Sequence, residues 1–171
     1  MWMREYPDEC AGVYVQFPLP HVAPATITQA LLELTGASIA QRPEEPQILH
    51  VYGVLEDTWR ESEIAWASVP SLDDPLDKDG DGKMASIPDN FVRHGRNDAL
   101  IQGHCTVVAA EPRTYMLDVT DFIREQTDDR ATFMILREVR YDGDIADGAT
   151  VRFASKEGGA GVSPKLVLFT K

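Results

Sequence analysis

An all-β chain folded as an antiparallel β-sandwich is what this sequence predicts, on three observations. Apolar, β-branched and aromatic residues recur at every second position in short runs, the period of a strand with one buried face. Turn-forming Gly, Pro, Asn and Asp collect between those runs. Helical periodicity is sparse, and many short strands with few helices point to a sandwich. The 171 residues suffice for one domain with a sizeable core. With 43 % hydrophobic and 26 % charged residues, the composition is globular. A single module over residues 1–171 is expected, with residues 72–97 as an inserted loop.

Each element follows from local sequence. Val13-Tyr-Val-Gln-Phe17 alternates and ends at Pro18-Leu-Pro20, which cannot continue a central strand. Residues 27–35 fit helix or strand by periodicity; Ala30, Leu32 and Leu34 share one face if it is a strand, and Gly36 is expected to end it. Residues 47–55 (QILHVYGVL) read as a clear strand. Residues 57–66 follow, closed by Val69-Pro70. Residues 72–97 are rich in Asp, Gly and Pro, and a loop that long is usually functional. Short strands are expected at residues 106–109 and 116–119. One helical turn is expected at residues 122–126, with Thr120 as its N-cap. Residues 132–140, 149–155 and 164–170 complete the strands. There is no internal repeat and no low-complexity tract.

Charge excludes some classes. Twenty-eight acids against 16 bases give a net charge of −12, which argues against nucleic acid, whose binding rests on neutralising phosphates. No apolar run approaches the roughly 20 residues of a membrane helix. Residues 1–8 lack the apolar core of a signal peptide, so the chain either stays inside or is a piece of an exported parent. Cys10 and Cys105 each precede a candidate strand; a disulfide and two buried thiols both fit.

Asp77-Lys-Asp-Gly-Asp-Gly-Lys83 carries the strongest chemical signal. Carboxylates at alternate positions of a tight loop point inward, and calcium takes six to eight such oxygens. Asp77, Asp79 and Asp81 would supply carboxylates and Lys83 a backbone carbonyl. Pro88 stands where an EF-hand needs its bidentate Glu, and Asp89 follows one place late, so an isolated structural Ca2+ loop is expected in place of an EF-hand. The bland alternative is a solvated acidic loop.

An ordered set of motifs spans residues 11–170: Tyr14-Val-Gln-Phe17, then Ile27-Thr-Gln-Ala-Leu-Leu-Glu-Leu34, then Trp59-Arg-Glu-Ser-Glu-Ile-Ala-Trp66 with Pro70. Asp118-Val-Thr120, Arg152-Phe-Ala-Ser-Lys-Glu157 and a closing Pro164-Lys-Leu-Val-Leu168 follow. This series resembles the DNRLRE domains, which overlap carbohydrate-binding module family 96. The resemblance implies a jelly-roll-like, non-catalytic module attached to a larger secreted enzyme or surface protein, extracellular or at the cell surface. Some members bind acidic polysaccharides such as alginate. Two departures stand out. Members usually open with one or two further strands, which this chain starts too late to supply, and Ala67-Ser-Val69 replaces an Asn-rich step.

A uronate-bearing polysaccharide calls for Arg or Lys on an exposed strand face. Arg137, Arg140, Arg152 and Lys156 are the candidates, and Arg152 points outward if Val151 and Phe153 point inward. Ordinary ion pairs with Glu138, Asp142 and Glu157 are the competing role. Trp59 and Trp66 suit sugar stacking, although tryptophans in a sandwich more often pack the core. Three function classes remain: a polysaccharide-binding accessory module, a structural or adhesive spacer, and a small polysaccharide-acting enzyme. The third lacks any nucleophile motif, phosphate loop or carboxylate pair at glycosidase spacing. His21, His50, His94 and His104 show no metal-ligand spacing, though His94 and His104 both flank the long loop.

Overall fold

Alternating strands close two antiparallel sheets over one core in the computed structural model, which describes residues 2–4, 13–38, 47–55, 59–60, 99–107, 111–137, 150–158 and 161–171. The first sheet is built on β3 (Ile27–Ser38). One edge of β3 pairs with β6 (Arg113–Asp118). The other edge is shared end to end: β9 (Lys165–Thr170) takes residues 27–33 and β8 (Thr150–Phe153) takes residues 36–38. A short β1 (Trp2–Arg4) lies outside β8, with Trp2 in register with Arg152. The second sheet runs β2 (Val13–Pro18), β7 (Arg130–Arg137), β4 (Gln47–Val54), β5 (Ala99–Val107). The sandwich predicted from sequence is therefore the fold.

The inward faces meet in a single cluster. Leu32 and Leu34 of β3 and Val151 and Phe153 of β8 pack against Leu49 and Val51 of β4 and Phe133 and Ile135 of β7. Burying each such side chain is worth about 1.5–3 kcal/mol. The short helix α1 (Thr120–Glu125) plugs one end of the core with Phe122, whose ring centroid is 5.3 Å from that of Phe133. No helix among the described residues is long and apolar enough to cross a membrane.

Several local expectations change. The segment at residues 27–35 is strand, and Gly36 does not end it. A Cβ at Gly36 would lie 2.5 Å from the Phe153 ring and 2.6 Å from the Arg152 carbonyl oxygen, so glycine lets β8 dock there. Trp2–Arg4 is a strand the sequence reading did not assign. β5 begins at Ala99, before the expected residue 106, so Cys105 lies inside it and not ahead of it. The ladder slips between Val51 and Tyr52, leaving Gln102 as the extra residue; Gly103 beside it has a φ of 151°, which favours glycine. Cys105 is a buried free thiol, and Cys10 lies outside the described residues. Burial lifts its pKa to about 11.

Helix α1 starts two residues earlier than expected, and Val119, not Thr120, is its N-cap. The reason is the Asp-Val-Thr step. Asp118 Oδ1 accepts from the Thr120 backbone N–H at 3.0 Å and from the Thr120 hydroxyl. The same hydroxyl oxygen accepts the buried Ala30 N–H at 2.9 Å, while Val119 donates its N–H to the Ala30 carbonyl. Arg124 then donates from Nε and Nη2 to the Ile27 carbonyl, at 3.0 and 2.7 Å. This motif is a clamp that welds α1 to the start of β3.

Candidate functional site

A sandwich offers two outer faces, and here they differ. On the second sheet the outward residues Tyr52 and Val54 of β4 and Thr132, Met134 and Leu136 of β7 are buried. Trp59 lies against this face. Its Nε1–H donates to Thr132 Oγ1 at 3.3 Å, and its ring stands edge-on to Tyr14 with centroids 6.0 Å apart. Gln16 Nε2 donates to the same hydroxyl at 3.1 Å, and the Tyr14 hydroxyl donates to Met134 Sδ. Trp59 is half-buried, tied to the sheet by both its edge and its N–H.

The outer face of the first sheet is exposed on its flanking strands and half-buried along the middle of β3, with Ala37 buried. Because Ala30, Leu32 and Leu34 enter the core, Leu31, Glu33, Thr35 and Ala37 face outward. Their register partners complete rows across the sheet. Asp118 and Val167 flank Leu31, and Met116 and Lys165 flank Glu33. Thr114 pairs Thr35, with hydroxyls 3.0 Å apart, and Arg152 stands opposite Ala37. Phe169 pairs Gln29 at one end. Met116 is 63 % exposed and Phe169 46 %. Eight residue steps from Gln29 to Ala37 make the face about 26 Å long. The surface mixes hydroxyls, charges and exposed apolar side chains, a mix that can both hydrogen-bond and pack against a sugar.

Charge on the face is organised along β3. Asp118 sits at the helix end. The Thr120 hydroxyl and backbone N–H, then Gln29 and Arg124, hold its carboxyl below the usual range. Arg152 sits at the far end, outward because Val151 and Phe153 are buried, as the alternation predicted. Lys156 follows on a 3₁₀ turn (Lys156–Gly158), exposed and 3.9 Å from Glu157. A hydrogen bond from Ser155, then its own backbone N–H, holds Glu157 below its usual range. The Ser-Lys-Glu step therefore closes a turn behind Arg152.

Of the residues singled out from sequence, Arg152 and Lys156 share this region. Arg137 belongs to β7 in the other sheet, and Trp59 lies on the opposite outer face. Sheets in a sandwich stand about 10 Å apart, so Trp59 and Arg152 do not form one surface. Arg140, Asp77, Asp79, Asp81, Lys83, Asp89, Trp66 and His94 lie outside the described residues. Sequence reasoning missed Lys165, Phe169 and Met116. The alternation of Lys165-Leu-Val-Leu-Phe169 puts Lys165 and Phe169 on one face, but nothing in it reveals that this face stays open.

A concavity of about 700 Å³ lies beside α1 between Thr28, Gln102, Asp118, Asp121, Arg124 and Glu125. Its central groups are engaged within the protein: Asp118 by Thr120, and Arg124 by the Ile27 and Thr28 carbonyls.

Residues 3–80 match the family model of carbohydrate-binding module family 96. The matched stretch is a little under half of the chain and carries β2, β3, β4 and Trp59. The motifs from Asp118 onward lie beyond it. No curated protein matches the chain.

Proposed function

Starting from the family 96 carbohydrate-binding module matched over residues 3–80, we propose that this protein binds a polysaccharide without acting on it. The outer face of the first sheet is its docking surface. The observation that carries the reading is the contrast between the two outer faces: the middle of the second sheet is buried, whereas Gln29, Thr114, Met116, Lys165, Phe169 and Arg152 of the first are exposed. Thr35, Thr114 and Gln29 supply hydrogen-bonding groups, Phe169 and Met116 apolar contact, and Arg152 with Lys156 the charged end. A guanidinium presents a planar fork to a carboxylate, so a uronate-rich chain such as alginate is the proposed ligand class. The proposed setting is an accessory role beside a larger secreted protein, with Ca2+ held by the Asp77, Asp79, Asp81, Lys83 and Asp89 loop in support of the fold. Trp59 in this reading braces β2 against β7.

The test is retention on immobilised neutral and uronate-rich polysaccharides, with Ca2+ and with chelator, for the wild type and an Arg152→Ala/Lys156→Ala variant. The expected result is retention on a uronate class, weakened at least tenfold in the variant. No retention of folded protein on any glycan refutes binding, and equal retention of wild type and variant refutes the assigned charged end. A melting temperature unmoved by chelator refutes the structural Ca2+ loop.

A further inference from the structure

His50 of β4 and His104 of β5 are direct register partners in the antiparallel ladder between these strands. Residues opposite one another in such a ladder project from the same face with Cβ atoms about 4.5–5.5 Å apart. Since Leu49, Val51 and Cys105 enter the core, both imidazoles project from the outer face of the second sheet. Their ring centroids are 6.1 Å apart with planes inclined at 46°. His50 is buried and His104 is exposed on β5, the last strand of its sheet among the described residues, so the pair reaches solvent on the His104 side. The bulge at Gln102 and Gly103 immediately precedes His104; bulges of this kind re-aim the side chains beside them.

We propose that His50 and His104 form a two-imidazole site for a borderline transition-metal dication such as Zn2+ or Ni2+. A metal–nitrogen bond of about 2.0–2.1 Å puts each ring centre about 3.2 Å from the ion, so two imidazoles on one tetrahedral ion have centres about 5.2 Å apart. The observed separation is about 1 Å wider, so ligation requires the exposed His104 ring to turn toward His50. His50 is buried, so any water ligands would reach the ion from the exposed His104 side. Imidazole nitrogens select Zn, Ni and Cu, whereas Ca2+ takes oxygen ligands, so this site is chemically distinct from the proposed Asp77 loop. An ion there links β5 to β4 and stabilises the folded chain by mass action. The proposal is independent of the glycan reading.

The test is calorimetric titration of the folded protein with ZnCl2 and with NiCl2 in chelator-free buffer near neutral pH. A saturable one-to-one isotherm is expected for the wild type and for a His21→Ala control, with binding at least tenfold weaker in His104→Ala. Paramagnetic Ni2+ added to the wild type should broaden the His50 and His104 ring resonances before that of His21, a readout that needs no variant. A wild type without a saturable isotherm, a His104→Ala variant within twofold of it, or broadening that starts at His21 overturns the proposal.

Discussion

Replacing Thr120 by Val tests the clamp that ties α1 to β3. The two side chains have nearly the same shape, so the substitution removes the hydroxyl and little else. That hydroxyl accepts the Ala30 N–H at 2.9 Å and donates to Asp118. Ala30 is fully buried, so water does not replace the lost acceptor. Leaving one buried N–H unsatisfied costs about 1–3 kcal/mol. The Asp118 carboxylate is exposed and regains water, which adds little. The expected loss is therefore about 2 kcal/mol. At about 2–4 °C per kcal/mol for a domain of this size, the melting temperature falls by about 4–8 °C. Thr120→Ser keeps the hydroxyl and loses one methyl group, worth about 0.8 kcal/mol. Urea and thermal unfolding of the three proteins decide the matter: Thr120→Val should be the least stable. A Thr120→Val variant as stable as Thr120→Ser would refute the clamp. The pH dependence gives a second reading. Asp118 has a lowered folded-state pKa, so its contribution is present above the ordinary Asp value and is lost as pH falls through the lowered one. Below about pH 4, the Thr120→Val variant should lose stability with acid less steeply than the wild type.

Gly53→Ala should destabilise by about 1–3 kcal/mol, because the new methyl lies 2.4 Å from the Phe122 ring, itself held against Phe133; denaturant midpoints check this, and an unchanged midpoint refutes the packing described. Cys105, buried with its pKa at about 11, should resist iodoacetamide at neutral pH in the native protein and react in urea. Peptide mapping by mass spectrometry separates it from Cys10.

Much of the fold was legible because the core is striped. Val13 and Val15, Leu49 and Val51, and Val151 and Phe153 all fall on every second residue, and all are buried. Residues 27–35 were ambiguous because Ala, Leu and Glu favour helix; pairing along both edges of β3 overrides that preference. Gly36 misled because its reason is non-local: Phe153, more than a hundred residues away, needs the space. β5 was read too short because the bulge at Gln102 and Gly103 breaks the alternation that marks a strand. The site was legible only in part. The outward direction of Arg152 follows from its neighbours, but which of two outer faces stays open depends on what packs over each. The pairing of His50 with His104 depends on the register of two strands that lie far apart in sequence. Sequence periodicity carries neither kind of information.

A net charge of −12 does not by itself oppose the proposed uronate ligand, because a polymer meets one face and not the whole molecule. Asp118 is level with Leu31 and Arg152 with Ala37. Six residue steps along β3 separate those rows by about 20 Å. At physiological salt the screening length is about 8 Å, so the two rows are more than two screening lengths apart along the strand. Glu33 is nearer, but Lys165 is its register partner on the adjacent strand. A carboxylate arriving at the Ala37 end therefore meets a field set by Arg152, with Lys156 and its Glu157 partner behind it, more than by Asp118. A sugar lying toward the Leu31 end meets the opposite sign. The binding this predicts is polarised: a uronate-rich stretch over Arg152 and neutral sugar over Thr35 and Thr114. A chain anionic along its whole length is then held mainly at one end, and salt should weaken that grip while leaving the hydroxyl and apolar contacts in place.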